Sequence, residues 1–205
     1  MRQTGDLSKL RRQATRRALQ LRGLIEHCKV PTDQLEARTV AFVTVEALTL
    51  WANFVRAFYL SCAHNARREG GDRVKVSVSG IDTDEAAIDF SRKIIKFTRR
   101  NEPIWHEIST LSKLFVAIKA SNLTQVQGAI SAQPFVFTAL PTIRNFFAHR
   151  SMQSAQKIPG VARGIGLSVG LRPCEILCSR LPGRPQNVLA DWIDDIRNAI
   201  ELACQ

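Results

Sequence analysis

The sequence predicts an all-α protein, a helical bundle with a short strand or β-hairpin inserted near residues 73–79. Apolar residues recur at the helical period over long stretches without proline. Strand-like alternation of apolar and polar residues is confined to a short segment that begins at Val74. The 205 residues, of which 45% are apolar, suffice for one hydrophobic core, so we expect a single domain over residues 1–205.

The first half of the chain predicts two long helical stretches. A basic amphipathic helix is expected over residues 7–27, where arginines fill much of the polar face. After Pro31, Thr32 is suited to cap a second stretch that runs from residue 33 to about residue 68, as one helix or two in sequence. Its middle, residues 40–60, is apolar nearly all round, which is typical of the central helix of a bundle.

Shorter helices are expected along the rest of the chain. Asp82 or Asp84 caps one, Pro103 begins the next, and another covers residues 124–132. A helix over residues 134–152 and a closing helix over residues 185–204 complete the bundle. Between these two, the glycine-rich segment 158–170 predicts a loop or an irregular extended stretch.

The distribution of charge bears on both the location and the partners of the protein. Glu46 and Arg56 divide the apolar run at residues 40–60, and the basic start of the chain does not resemble a secretory signal. We therefore expect a cytoplasmic protein with no membrane association. The formal net charge of +11 indicates a polyanionic partner, either nucleic acid or an acidic protein.

The cysteines do not indicate a metal site. Five cysteines are spread widely, and Cys174 and Cys178 have no second cysteine or histidine pair at zinc-site spacing. We expect free thiols, no metal and no cofactor. Nucleotide-binding glycine loops and nucleophile elbows are also missing from the sequence.

One histidine lies close in sequence to residues that could act with it in catalysis. The segment 144–149 reads RNFFAH and is followed by Arg150. On a helix Asn145 and His149 lie nearly over one another, so a hydrogen bond between amide and imidazole is expected to orient the ring. Arg144 lies about 140° round the helix from His149, and Phe146 and Phe147 are expected to anchor the helix in the core. Imidazole can move protons at a 2′-hydroxyl or a leaving 5′-oxygen, and guanidinium can hold phosphate charge.

This segment resembles the motif of the HEPN superfamily, in which an arginine is followed by a polar residue and then by a histidine four to six positions after the arginine. The match covers six residues of a chain that is otherwise similar only in its helical architecture. The resemblance implies a HEPN-like domain that acts as a metal-independent endoribonuclease. It also implies a homodimer in which the motif helices of both chains face each other across one basic cleft.

The resemblance assigns roles to individual residues. His149 is expected to carry the acid-base chemistry, Arg144 to hold the phosphate and its transition-state charge, and Asn145 to orient the site. Arg150 is expected to contact the RNA backbone. Family enzymes serve in toxin-antitoxin and phage-defence systems and leave a 2′,3′-cyclic phosphate, so RNA and an antitoxin or defence protein are the expected partners.

One departure from the family concerns regulation. Many HEPN toxins that resemble this sequence carry a tyrosine two positions after the histidine, which the antitoxin modifies. Here that position is Ser151, and the sole tyrosine is Tyr59. The sequence therefore argues against silencing by modification at the motif and leaves other antitoxins open.

Two charges lie within the central apolar stretch. Glu46 and Arg56 would be unfavourable if buried without partners, so each should find a counter-charge or reach a cleft. A pair between Glu46 and Arg144, with Glu46 supporting the site, is one hypothesis. Pairing with other surface residues, or plain exposure to solvent, is the alternative.

Two other functions fit the same sequence. A HEPN-like module without activity would act as a dimer that binds RNA or protein. An unrelated helical regulator would bind duplex DNA through the arginines between residues 11 and 22. Arginine and histidine that remain available for chemistry, rather than consumed by structural hydrogen bonds, would favour the enzyme.

Overall fold

The structure, a computed structural model, describes residues 5–96, 102–132 and 135–205. The protein is all-α, with 66% of its residues in helices. Within the described ranges the helices are α1 (Leu7–Ile25), α2 (Gln34–Ala63), α3 (Asp84–Ile95), α4 (Ile108–Ala117), α5 (Leu123–Ser131), α6 (Val136–His149), α7 (Met152–Ala155), α8 (Ile158–Gly164), α9 (Pro173–Cys178) and α10 (Val188–Cys204).

The long helices form close to where the sequence predicts them. The helix expected over residues 7–27 is α1, and the stretch from residue 33 is the single helix α2. The helix expected over residues 134–152 is α6, and residue 134 lies outside the described residues. The closing helix begins at Val188 rather than at Pro185, because the Asn187 side chain caps it by accepting a hydrogen bond from Ala190 N at 2.9 Å.

The strand or hairpin expected near residues 73–79 is not confirmed. The segment is extended, but within the described residues its β-pairing is an isolated bridge between Arg73 and Arg67. Val74 N donates to Ala66 O at 2.9 Å, and Ser77 N donates to Ile118 O at 3.1 Å. Because these acceptors belong to a turn and to a helix end, the segment finds its hydrogen bonds without a partner strand.

The loop expected over residues 158–170 is wrong in its first half, where α8 forms. Pro159 lies in the first turn of this helix, where the missing N–H leaves no hydrogen bond unmade. Ile158, Val161 and Ala162 are buried, so packing offsets the poor helix propensity of the nearby glycines. Asp82 and Asp84 do not cap α3 either, since Thr83 accepts the hydrogen bond from Ala86 N.

The described residues group into two compact units, and α1, α2 and α10 each contribute to both. Unit 1 contains residues 5–15, 51–96, 102–132 and 198–205. Its core includes a row of rings in which Phe58 stacks on Phe54 at 5.4 Å and on Phe115 at 5.2 Å between centroids. The single-domain organisation over residues 1–205 stays a prediction.

Unit 2 contains residues 16–50 and 135–197. Asn187 is buried there, and its Nδ2 donates to Ile25 O at the end of α1 at 2.8 Å. Together with the cap on α10, this amide joins the end of one helix to the start of another. The same unit holds α6, which buries five apolar side chains: Val136, Phe137, Ala139, Leu140 and Ile143.

Helix α2 is long and apolar enough to cross a membrane, by length and composition alone. In its most apolar window 44% of the residues are buried inside the protein. Core helices of soluble proteins meet the same criterion, so α2 is weak support for a membrane span.

The first half of α10 carries three acidic residues close together. Asp194 accepts a hydrogen bond from Arg22 Nε at 2.9 Å, so the guanidinium balances the negative charge of this carboxylate. Burial raises the pKa of Asp195 from 3.8 to about 6, and the neighbouring carboxylate of Asp191 adds to the increase. The ionised form of Asp195 is therefore disfavoured in the folded protein.

We expect Asp195→Asn to raise the melting temperature by about 1–3 °C at about pH 7.5 and by much less at about pH 4.5. Ionised Asp195 lowers stability above its folded pKa of about 6, and this loss disappears as the pH falls toward the unfolded value of 3.8. Thermal denaturation of both proteins at the two pH values measures the difference. Equal increases at both pH values would show that packing, and not charge, is responsible.

Candidate functional site

The segment 144–149 forms the C-terminal part of α6, and Arg150 ends the helix. Arg150 has left-handed backbone angles, φ 43° and ψ 34°, and its N–H donates to Phe146 O at 2.8 Å. This conformation is uncommon for residues other than glycine. It turns the chain away from the helix immediately after His149.

The helical period divides the motif between two faces of α6. Ile143 is buried. Phe146 and Phe147 were expected to lie in the core, but each is only half-buried. Asn145 and His149 are exposed, and Arg144 is half-buried. We name the outward face the α6 outer stripe, which consists of Thr138, Thr142, Asn145 and His149.

Arg144 and Asn145 contact each other directly. Arg144 Nη1 donates to Asn145 Oδ1 at 3.2 Å. The hydrogen bond expected between Asn145 and His149 is not found among those of the described residues, so Asn145 orients the guanidinium instead of the imidazole. Across the described part of the chain, the ion pairs include neither Arg144 nor His149. Both groups therefore remain available to a ligand.

Glu46 does not support Arg144. Arg17 Nη2 donates to Glu46 Oε2 at 2.8 Å, so this carboxylate is already paired within unit 2. The hypothesis of a pair between Glu46 and Arg144 is wrong, and the alternative of another surface partner is confirmed. Arg56 likewise finds a counter-charge, because Glu102 accepts two hydrogen bonds from it at 2.6 and 2.8 Å and the pair lowers the pKa of Glu102.

A groove of about 510 Å³ lies in unit 2, beside the inward face of the motif. Phe146 and Phe147 contribute its aromatic wall, with ring centroids 5.9 Å apart and planes inclined by 67°. Other lining side chains come from the start of α2 and from α9. We name this cavity the α6 groove, and its charged lining residues are Asp33, Arg38, Arg150, Arg172 and Glu175.

The acidic residues of the α6 groove are already engaged. Glu175 Oε1 accepts hydrogen bonds from Arg172 Nε at 3.0 Å and Nη2 at 2.8 Å. Asp33 Oδ1 accepts a hydrogen bond from Glu36 N at 2.8 Å and so caps α2. The ion pairs of the described residues involve neither Arg38 nor Arg150, which leaves these two guanidinium groups to face the groove without an acidic partner.

The sequence does not predict this groove. Its two phenylalanines were expected in the core, and its residues Arg38 and Arg172 are 134 positions apart in the chain. A single sequence contains no signal that brings these positions together. The weak signal that was present was the aromatic pair, since two adjacent residues of one helix are about 100° apart and cannot both lie at the centre of the buried face.

Three of the five arginines of α1 are paired with carboxylates within the protein. Arg11 pairs with Glu69, Arg17 with Glu46, and Arg22 with both Asp194 and Glu26. An arginine that is held by a carboxylate contributes less to attracting a phosphate backbone. These pairs count against a duplex-binding role for α1.

The described residues hold no group of three or more His, Cys, Asp or Glu side chains placed to bind a metal ion. The thiols of Cys28 and Cys178 nevertheless approach each other, with 3.8 Å between their sulfur atoms. Cys174 lies nearby and lines the α6 groove. All five cysteines are free thiols.

Comparison with protein-family models, curated proteins and solved structures finds no match to this chain.

We expect two of the five thiols, Cys28 and Cys174, to react with a thiol reagent in the folded protein at about pH 8. Burial also raises the pKa of the half-buried Cys174, so it should react more slowly than Cys28. Cys62, Cys178 and Cys204 are buried from the reagent, and burial raises the pKa of each, in Cys204 to about 12. Titration with an aromatic disulfide reagent counts the reactive thiols before and after unfolding in guanidinium. The double variant Cys28→Ser, Cys174→Ser should show none before unfolding, and a third reactive thiol in the folded wild type would contradict the assignment.

Proposed function

We propose that this protein is a metal-independent endoribonuclease of the HEPN type that works as a homodimer. The observation that supports the proposal is the availability of Arg144 and His149. They belong to one motif on α6, contact solvent at least in part, and are not among the ion-paired residues of the described chain. A basic protein that leaves an arginine and a histidine unneutralised on one helix end is suited to bind and cleave a polyanion.

The residue types fit the cleavage of RNA by its own 2′-hydroxyl. His149 takes a proton from the attacking 2′-oxygen or supplies one to the leaving 5′-oxygen, and the products are a 2′,3′-cyclic phosphate and a 5′-hydroxyl. Arg144 binds the crowded negative charge on phosphorus. Asn145 acts as a positioning residue, because its Oδ1 accepts a hydrogen bond from the Arg144 guanidinium.

The separation of the two residues favours a site shared by two chains. Five positions on a helix correspond to about 7.5 Å of rise and about 140° of rotation, so one chain directs its Arg144 and His149 to different sides. A second copy related by a twofold axis would place its own residues opposite them. The α6 outer stripe, with its small polar threonines, is the surface proposed to meet the partner.

The setting that we propose is a cytoplasmic toxin or defence system in which an antitoxin or activating protein controls the enzyme. Ser151 occupies the position where many HEPN toxins carry a tyrosine that the antitoxin modifies. Its hydroxyl oxygen accepts a hydrogen bond from Ser154 N at 3.2 Å and caps α7. Ser151 therefore has a structural use, and we propose control by protein binding rather than by modification there.

A binding module without activity is the second candidate. The α6 groove favours it, because aromatic rings and unpaired arginines can hold RNA without any acid-base chemistry. Cleavage distinguishes the two candidates directly.

We expect the purified protein to cleave a mixed RNA pool in the presence of EDTA. His149→Ala should reduce the rate about 10²- to 10⁴-fold because acid-base catalysis is lost, and Arg144→Ala should reduce it about 10²- to 10³-fold. Gel analysis should reveal products with cyclic phosphate ends. The matched controls, His27→Ala and Arg16→Ala, replace exposed residues outside the motif and should retain full activity.

The outcomes separate the alternatives. If neither motif substitution changes the rate, the cleavage belongs to another centre or to a contaminant. RNA binding without cleavage by the wild type would support the binding module. Circular dichroism and light scattering of every variant confirm that folding and dimerisation are retained.

We expect mixing of the inactive His149→Ala and Arg144→Ala proteins to restore part of the activity. Subunit exchange makes about half of the dimers heterodimers, each with one site that combines an intact arginine and an intact histidine, so about a quarter of the wild-type rate should return. The rate is followed after incubation of the mixed subunits. Failure to recover activity, with heterodimers demonstrated by mass spectrometry, would show that each chain acts alone.

A further inference from the structure

The α6 groove has the size and lining of a site for one nucleotide. Its volume of about 510 Å³ lies within the range of small-ligand pockets. Phe146 and Phe147 give it an apolar wall, and Pro173 and Cys174 line it as well. An aromatic face beside cations matches a nucleotide, which has a flat base at one end and a phosphate at the other.

The charge pattern determines which end of the ligand lies where. Arg172 is held by Glu175 through two hydrogen bonds and has less capacity to bind an added anion. Arg38 and Arg150 come from α2 and from the end of α6, and neither has an ion-pair partner in the described chain. The groove therefore offers two guanidinium groups for phosphate and two rings for a base.

We propose that the α6 groove binds a nucleotide of single-stranded RNA, with the base against Phe146 and Phe147 and the phosphate between Arg38 and Arg150. The choice of RNA rests on the proposed ribonuclease function. Arg150 lines the groove and directly follows His149 in the chain, so the groove adjoins the motif in sequence. A base in the groove must be unpaired, so the substrate class is single-stranded rather than duplex RNA.

The test measures binding of a labelled decamer of 2′-O-methyl RNA by fluorescence anisotropy. This probe has no 2′-hydroxyl to attack the phosphate, so the full-length wild-type protein binds it without cleavage. Arg38→Gln and Arg150→Gln should each weaken binding about five- to tenfold, and Phe147→Leu about tenfold through loss of stacking. Arg12→Gln makes the same change in net charge at an exposed position of α1 and should leave the affinity unchanged.

Salt dependence provides a readout that misfolding would not imitate. Each lost phosphate contact should lower the slope of log affinity against log salt by about 0.7 for a single strand. This decrease is expected for Arg38→Gln and Arg150→Gln and not for Phe147→Leu, whose contact is with the base. Equal affinity for the Arg38, Arg150 and Arg12 variants would overturn the proposal, and so would equal competition by a duplex of the same sequence.

Adenosine 5′-monophosphate distinguishes an RNA strand from a free nucleotide. Competition at millimolar concentration that Arg38→Gln weakens would identify a free nucleotide as sufficient, and lack of competition would identify the strand as the ligand. The two proposals can fail separately. If the wild-type protein cleaves RNA but the groove variants bind the probe normally, only the groove proposal is rejected. If binding depends on the groove residues but the wild-type protein does not cleave RNA, only the ribonuclease proposal is rejected.

Discussion

The burial of one face of α6 is the constraint on which both proposed sites depend. Ile143 and the apolar residues before it fix the rotation of the helix within unit 2, and the helical period then determines where every later side chain points. Asn145 and His149 are directed outward, and Phe146 and Phe147 toward the groove. Six consecutive residues span more than one turn, so the motif serves two surfaces at once.

The helices could be predicted from the sequence because their signals are local. Apolar periodicity located α1, α2, α6 and α10 within a few residues. The strand or hairpin predicted from Val74 onward is not confirmed, because alternation of apolar and polar residues indicates only that one side of a segment is buried. It does not indicate that another strand is available to pair with the segment. The start of α8 misled the prediction in the opposite direction, because burial of Ile158 outweighs the unfavourable propensity of the glycines.

The candidate site was predictable only where its residues are contiguous. Arg144, Asn145 and His149 share one helix, so their relative placement follows from spacing alone. The partner of Glu46 did not follow, because Arg17 lies on another helix and many arginines were equally suitable by sequence. The α6 groove could not be predicted from the sequence for the same reason, since its arginines belong to elements far apart in the chain. In this protein, net charge indicated a polyanionic partner, but internal ion pairs decide which cations remain to meet it.

Arg150 shows a competition between two demands on one residue. Its left-handed backbone is the conformation that glycine adopts most easily, and a side chain there costs about 1–2 kcal/mol. Glycine would be the natural choice for thermal stability alone, yet it would remove one of the two unpaired guanidinium groups of the groove. If the groove binds a nucleotide as proposed, optimising this helix end for heat resistance would weaken that binding, so stability and recognition compete at a single backbone angle.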